Sequence, residues 1–138
     1  MKKRIGTILA ILMVLSICTV GVYATMQEIT RGQIGSVEIT GTLYAYENYD
    51  SESFAYGRTF LEPNSGVQSA YCTVNVYPYS DPSNPATTTA SYTGSSIMTT
   101  STISVINGTH AESEHNAEIL ESGVLSTLAD PLQITVNY

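Results

Sequence analysis

The stretch Tyr71-Cys72-Thr73-Val74-Asn75-Val76-Tyr77-Pro78-Tyr79 decides how this chain folds. It alternates without a slip. Cys72, Val74 and Val76 fall on one side; Tyr71, Thr73, Asn75, Tyr77 and Tyr79 fall on the other. A side-chain period of two belongs to a pleated strand with one buried face. β-Branched and aromatic residues dominate the stretch, and they suit a half-buried sheet surface. The stretch predicts a central strand of a small β-protein.

Working outward, the same period recurs. Val37–Tyr46 alternates, with Gly41 on its apolar side suggesting a bulge or close packing. A turn at Glu47–Ser51 leads to Ser53–Leu61, where Phe54, Tyr56, Arg58 and Phe60 share one face and small residues the other. Glu62–Gly66 is a turn, Ser80–Pro85 a proline-bearing loop, and Thr87–Thr93 a threonine-rich edge strand ended by Gly94–Ser96. Ile97–Ile106 alternates again, and Asn107–Gly108 carries a hairpin signal. The arm that follows has two readings. As a strand it puts His110, Glu112, Glu114, Asn116 and Glu118 outside, with Ala111, Ser113, His115, Ala117 and Ile119 inside; as a helix it runs Ala111–Ser122 with Gly123 as the stop. The preceding turn favours the strand. Ser122–Pro131 reads as loop, Leu132–Tyr138 as a closing strand, and Met26–Ile34 as a lead-in. The pattern predicts an all-β fold, a small antiparallel β-sandwich of about seven strands in one domain spanning residues 25–138.

Residues 1–24 read as a cleaved signal peptide: Lys2, Lys3 and Arg4, an apolar run from Ile5 to Val22, then Val22-Tyr23-Ala24 as the cut site. An uncleaved membrane anchor is the rival reading, since the run approaches spanning length. A lipoprotein is a third; Cys18 is suitably placed, but bulky Ile17 stands where a small residue is expected. Cleavage removes three of the 5 basic residues and none of the 12 acidic ones, leaving Arg31 and Arg58 and a net charge near −10. Such a surface repels phosphate backbones and anionic lipid heads, so nucleic acid and membrane are poor partners, and no membrane span is expected after cleavage. The exported portion keeps one cysteine, Cys72, so it has no internal disulfide. Cys72 sits on an apolar strand face and reads as a buried inert thiol, with an intermolecular disulfide as the other option.

Few residues here can do chemistry. Only His110 and His115 could act as histidine bases, no serine lies in a G-x-S-x-G elbow, and Cys72 would have to leave its apolar face to meet a histidine. His110, Glu112 and Glu114 share a strand face, but its ends would be about 13 Å apart, too far for one ion. His115, on the inner face, reads as a hydrogen-bonded structural histidine. Paired acids without an aromatic cleft or any tryptophan make a poor glycosidase. Asn107-Gly108-Thr109 is a glycosylation sequon that doubles as a turn. No enzyme, metal or cofactor is expected. The tyrosines carry the remaining signal: Tyr44 and Tyr46 on one strand, Tyr71, Tyr77 and Tyr79 on another, form one exposed patch if those strands are neighbours. The competing reading is cross-strand pairing that stabilises a sheet.

The leader and the alternating Tyr/Ser/Thr segments, such as Leu43–Tyr56 and Ser69–Tyr79, resemble small secreted proteins of Gram-positive bacteria. In build they are similar to the lactococcin 972-type bacteriocins, a likeness that implies a signal peptide and a short disulfide-free β-sandwich. The chain departs from that group in its acidity and its lack of tryptophan, and no functional residue carries over. The expectation is a secreted, extracellular, non-enzymatic binding or surface-interaction protein of a bacterium. Its partner would be a carbohydrate or protein at the cell exterior, and its contact residues Tyr44, Tyr46, Tyr71, Tyr77 and Tyr79. A bacteriocin-like or toxin-like factor is the alternative. A small outer-membrane β-barrel is a further one, since Leu132–Tyr138 alternates and ends in an aromatic residue.

Overall fold

The computed structural model describes residues 25–62, 66–94 and 97–138. The expected leader at 1–24 and the middle of the turn at 63–65 lie outside the described residues. Ten strands are present among the described residues, all in antiparallel pairs. The first sheet holds β1 (Thr25–Ile34), β2 (Val37–Glu47) and β3 (Glu52–Leu61), with β6 (Ile97–Thr99) and β7 (Ile103–Ile106) end to end along the far edge of β3. The second runs β10 (Leu132–Asn137), β8 (Gly108–Glu121), β4 (Val67–Pro78), β5 (Ala86–Thr93), with β9 (Val124–Thr127) also on β8. The fold is an all-β sandwich, and β4 is a central strand flanked by β5 and β8.

The expected count of seven strands becomes ten for three local reasons. The lead-in is a full strand, paired with β2 through a two-residue turn at Gly35–Ser36. The loop after Glu121 contains β9, joined to β8 by Ser122–Gly123. Both turn residues have positive φ, 51° and 81°, the type I′ geometry that matches strand twist. Finally, Ile97–Ile106 is two strands. Arg58 pairs with Thr99 and Ala55 with Ile103, so four steps on this edge span three on β3. That extra residue is a bulge. At the break, buried Thr100 replaces a ladder contact, its Oγ1 accepting from Gly57 N–H at 3.0 Å. The bulge also flips the alternation: Met98 points into the core before it, Ile103 and Val105 after it.

The hairpin expected at Asn107–Gly108 is not formed. β7 belongs to the first sheet and β8 to the second, so this dipeptide is the corner where the chain changes sheets. Asn107 does take positive φ, 50°, donating to Ser51 O at 2.6 Å and accepting from Tyr79 N–H at 2.8 Å. The arm after it is β8, a 14-residue strand with the in/out pattern of the strand reading, and not a helix.

The core lies between the sheets. Ile39, Leu43, Ala45, Ala55 and Leu61 face Ala70, Cys72, Val74, Val76 and Ile119, all fully buried. At its centre is a polar side chain, His115, also 0% exposed. Thr59 Oγ1 lies 2.8 Å from its Nδ1 and Ser113 Oγ 2.8 Å from its Nε2. The Thr59 hydroxyl also donates across the sandwich to Tyr71 O, 3.1 Å away. With its single proton so used, Thr59 accepts from His115, and the network assigns the proton to Nδ1 while Nε2 accepts from Ser113. Room for the ring comes from glycine: a Cβ on Gly41 would lie 2.5 Å from His115 Cδ2, and one on Gly57 would lie 2.5 Å from Cys72 Sγ. Gly41 therefore marks close packing, without a bulge in its pairing.

Because hydrogen bonds pin the ring on both sides, it cannot yield to an added methyl. Gly41→Ala is expected to lower unfolding stability by about 1–3 kcal/mol, the usual cost of overpacking, read as a shift of the urea midpoint.

Candidate functional site

The register of β2 and β3 places Tyr46 opposite Phe54 and Tyr44 opposite Tyr56 on the outer face of the first sheet. Ring centroids are 4.8 Å and 4.6 Å apart and the planes lie within 6° and 10° of parallel. These spacings match the gap of about 4.8 Å between neighbouring strands, so the rings stack face to face across the pair and turn their rims to solvent. Phe60 continues the column along β3. Cross-strand neighbours extend the face: the row through Thr42 and Arg58 begins at Ile29, and the row through Phe60 ends at Ile97, both aliphatics exposed. Thr42, although outward-facing, is buried beneath these larger neighbours.

Arg58 stands in the middle of this face and makes no ion pair or hydrogen bond among the described residues. Its Nε is buried without a partner. Its positive charge opposes the rise that burial and the phenols of Tyr44 and Tyr46 impose on the Tyr56 hydroxyl. The other arginine, Arg31, lies on the same outer face opposite Thr40 and pairs with Glu38 at 3.9 Å, an exposed and weak contact. All twelve acids lie within the described residues, yet none neutralises Arg58.

The other three predicted tyrosines sit elsewhere. β2 and β4 belong to different sheets, so the single patch of five does not form. Tyr71 and Tyr77 lie on the outer face of the second sheet. There Tyr71 donates to Glu114 at 3.3 Å and Tyr77 to Glu112 at 2.8 Å, and Tyr77 stacks on His110 with centroids 4.3 Å apart. The Glu112 contact, together with burial, raises the Tyr77 hydroxyl pKa. Tyr79 lies beyond the end of β4 and is 77% exposed. This second face is a closed polar network: Ser69 donates to Glu118, Thr87 to Asn75, and Thr73 meets Thr89. Asn116, expected outside, is buried beneath the 127–128 segment, where its Oδ1 accepts from Thr127 Oγ1 and Leu128 N–H. It bridges the gap between the β10-paired and β9-paired parts of β8. Among the described residues no group of three His, Cys, Asp or Glu side chains could hold a metal ion.

The buried titratable groups are structural. Burial lowers the His115 pKa to about 4 and pushes the Cys72 thiol up to about 12. Both are inaccessible, and neither faces the outer surface. The residues that sequence reasoning left apart are Phe54, Tyr56, Arg58 and Phe60, grouped on their own strand but not joined to Tyr44 and Tyr46. Folding the chain about the Glu47–Ser51 turn pairs 46 with 54 and 44 with 56, so the signal was present. No family model matches this chain, and no curated protein matches it.

Two outcomes follow from burial. An unfolded histidine titrates near 6.5, so between that pH and about 4 the unfolded chain binds a proton that folded His115 refuses. This contribution to stability is complete above pH 6.5 and is lost as pH falls toward 4, up to about 3 kcal/mol. NMR should show the His115 ring still neutral at about pH 5. Cys72 should resist a thiol reagent in the native protein and react once urea unfolds it, which also distinguishes a buried thiol from an intermolecular disulfide.

Proposed function

We propose that this chain is a secreted, non-enzymatic binding protein of a bacterium whose contact surface is the outer face of the first sheet. Its partner is a protein at the cell exterior that offers a carboxylate to Arg58. The observation that carries the reading is the unneutralised guanidinium in a ring-lined face of an otherwise acidic chain. Arginine and tyrosine dominate the energetics of protein contacts, and a planar guanidinium recognises carboxylate in a two-pronged geometry. The stacked rings favour the same partner class. An aromatic rim carries the positive end of the ring quadrupole, and phenol O–H groups are donors, so the face is rich in groups that meet an anion. A flat sugar, by contrast, rests on ring faces laid open to solvent, whereas the paired rings here stand on edge and each spends one face on its partner. The net negative charge argues for an isolated carboxylate set among apolar side chains, since a polyanion would be repelled at long range.

The test is a peptide array in which each sequence carries one carboxylate, run beside a glycan array. Binding is expected on the peptide array, falling with added salt. Arg58→Gln should weaken it about tenfold or more, within the range for a charge-assisted pair, with an unchanged circular dichroism spectrum. Binding confined to glycans, or binding by Arg58→Gln equal to wild type, would overturn the assignment.

A further inference from the structure

Two five-stranded sheets leave four open edges, and three of them are guarded. β1 carries Glu28 opposite Leu43, a charge on the core side of an edge strand, and Arg31 opposite Thr40 on its outer side. The β6–β7 edge is broken by the bulge at Thr100. The β9–β10 edge is split into pieces of 4 and 6 residues, with Pro131 between them. Inward charges, bulges and short strands are the means by which sheet edges avoid pairing with other chains. β5 has none of these. It is eight residues, Ala-Thr-Thr-Thr-Ala-Ser-Tyr-Thr, without charge or proline and in unbroken register with β4. Among the described residues no strand lies on its far side.

We infer that β5 is a strand-addition interface, and that its partner is β5 of a second copy of this chain, paired antiparallel. The segment is complementary to itself. On the outer side Thr87, Thr89, Ser91 and Thr93 repeat one hydroxyl chemistry, already used within the chain where Thr89 meets Thr73 and Thr87 meets Asn75. On the inner side stand Ala86, Thr88, Ala90 and Tyr92. Opposed residues of an antiparallel pair share a face, so a twofold axis at Ala90 places Tyr92 against the partner's Thr88. Tyr92 is a core-side aromatic left 57% exposed, and that contact covers it. Electrostatics selects the same site: two copies that are each strongly acidic can approach along a strip that carries no charge. A single strand pair is small beside a standard interface of about 1,600 Å², so the dimer is a weak, concentration-dependent equilibrium. The axis runs normal to the sheet, so the outer faces of both first sheets, each with its Arg58, end on the same side of the dimer.

Sedimentation velocity on the protein as its host exports it, run over a range of concentrations, tests this. A reversible monomer–dimer equilibrium is expected. Ser91→Lys, which adds the charge that guarded edges carry, and Tyr92→Ser should each raise the dissociation constant about tenfold or more. Gln133→Lys on the opposite edge should leave it unchanged. Amide exchange should slow in β5 as concentration rises. A monomer at every concentration overturns the inference, as does capture of a foreign extended peptide by β5 in place of self-association. A dimer that survives both β5 substitutions but is lost in Gln133→Lys or Arg58→Gln assigns the contact to another surface and equally overturns it.

Discussion

A neutral imidazole held at both nitrogens between the sheets is the constraint on which the rest of this sandwich depends. With Cys72 free, no disulfide fastens one sheet to the other among the described residues, and packing and hydrogen bonds carry the whole load. The Thr59 hydroxyl reaches from the first sheet to Tyr71 O and His115 in the second, and so fixes both the separation and the lateral position of the sheets. A polar group in such a place is costly unless every donor and acceptor is met. Ser113 and Thr59 meet both ring nitrogens, and the glycines at 41 and 57 give the ring and the Cys72 sulfur their space.

That packing decides what the outer surfaces can be. From Ser53 to Thr59 the inner positions of β3 are Ser53, Ala55, Gly57 and Thr59, sized for close approach, and its aromatic side chains take the alternate outward positions. They then pair with the tyrosines of β2 and form a ridge on the first sheet. On the second sheet the inner positions of β4 from Ala70 to Val76 are aliphatic apart from Cys72, and its outward Tyr71 and Tyr77 fall beside glutamates on β8 that absorb their hydroxyls. Two faces of similar composition thus differ in what remains unsatisfied: the second closes its network internally, while the first leaves Arg58 open. A tyrosine count alone cannot separate these cases, because the difference lies in what stands on the neighbouring strand.

The period of two made the strands legible, including β8, where helix propensity competed with alternation and lost to pairing on both sides by β4 and β10. Cys72 and His115 were legible for the same reason, as polar or reactive types on an apolar face. Sheet membership was not. Asn107 takes the positive φ its residue type suggests, but Gly108 does not, so the pair stops short of a type I′ turn, and long-range contacts such as Gly108 N–H to Ser53 Oγ at 2.9 Å hold a corner between sheets instead. Ser122–Gly123 shows the converse: a true type I′ hairpin concealed by the loop-like composition that follows it. The tyrosine patch turned on the same step. Tyr44, Tyr46, Tyr71 and Tyr77 do face outward from their strands, but the condition for one patch, that β2 and β4 be neighbours, is not met.

The edges complete the logic of the surface. Edge protection in β1, β6–β7 and β9–β10 uses a different device each time, so an unguarded β5 is not the product of a general neglect of edges. Threonine is the residue through which this edge can be both soluble and adhesive: its β-branch favours the extended backbone, and its hydroxyl is met equally well by water or by another hydroxyl. Charge would have made the strand safe, and a longer apolar row would have made it aggregate. A hydroxyl-bearing edge on an acidic body permits one neighbour along the strand, while the unbalanced charge of the remaining surface opposes the approach of more. The same sandwich can therefore keep its aromatic face free and still associate, because the two surfaces belong to different sheets and compete for no residue.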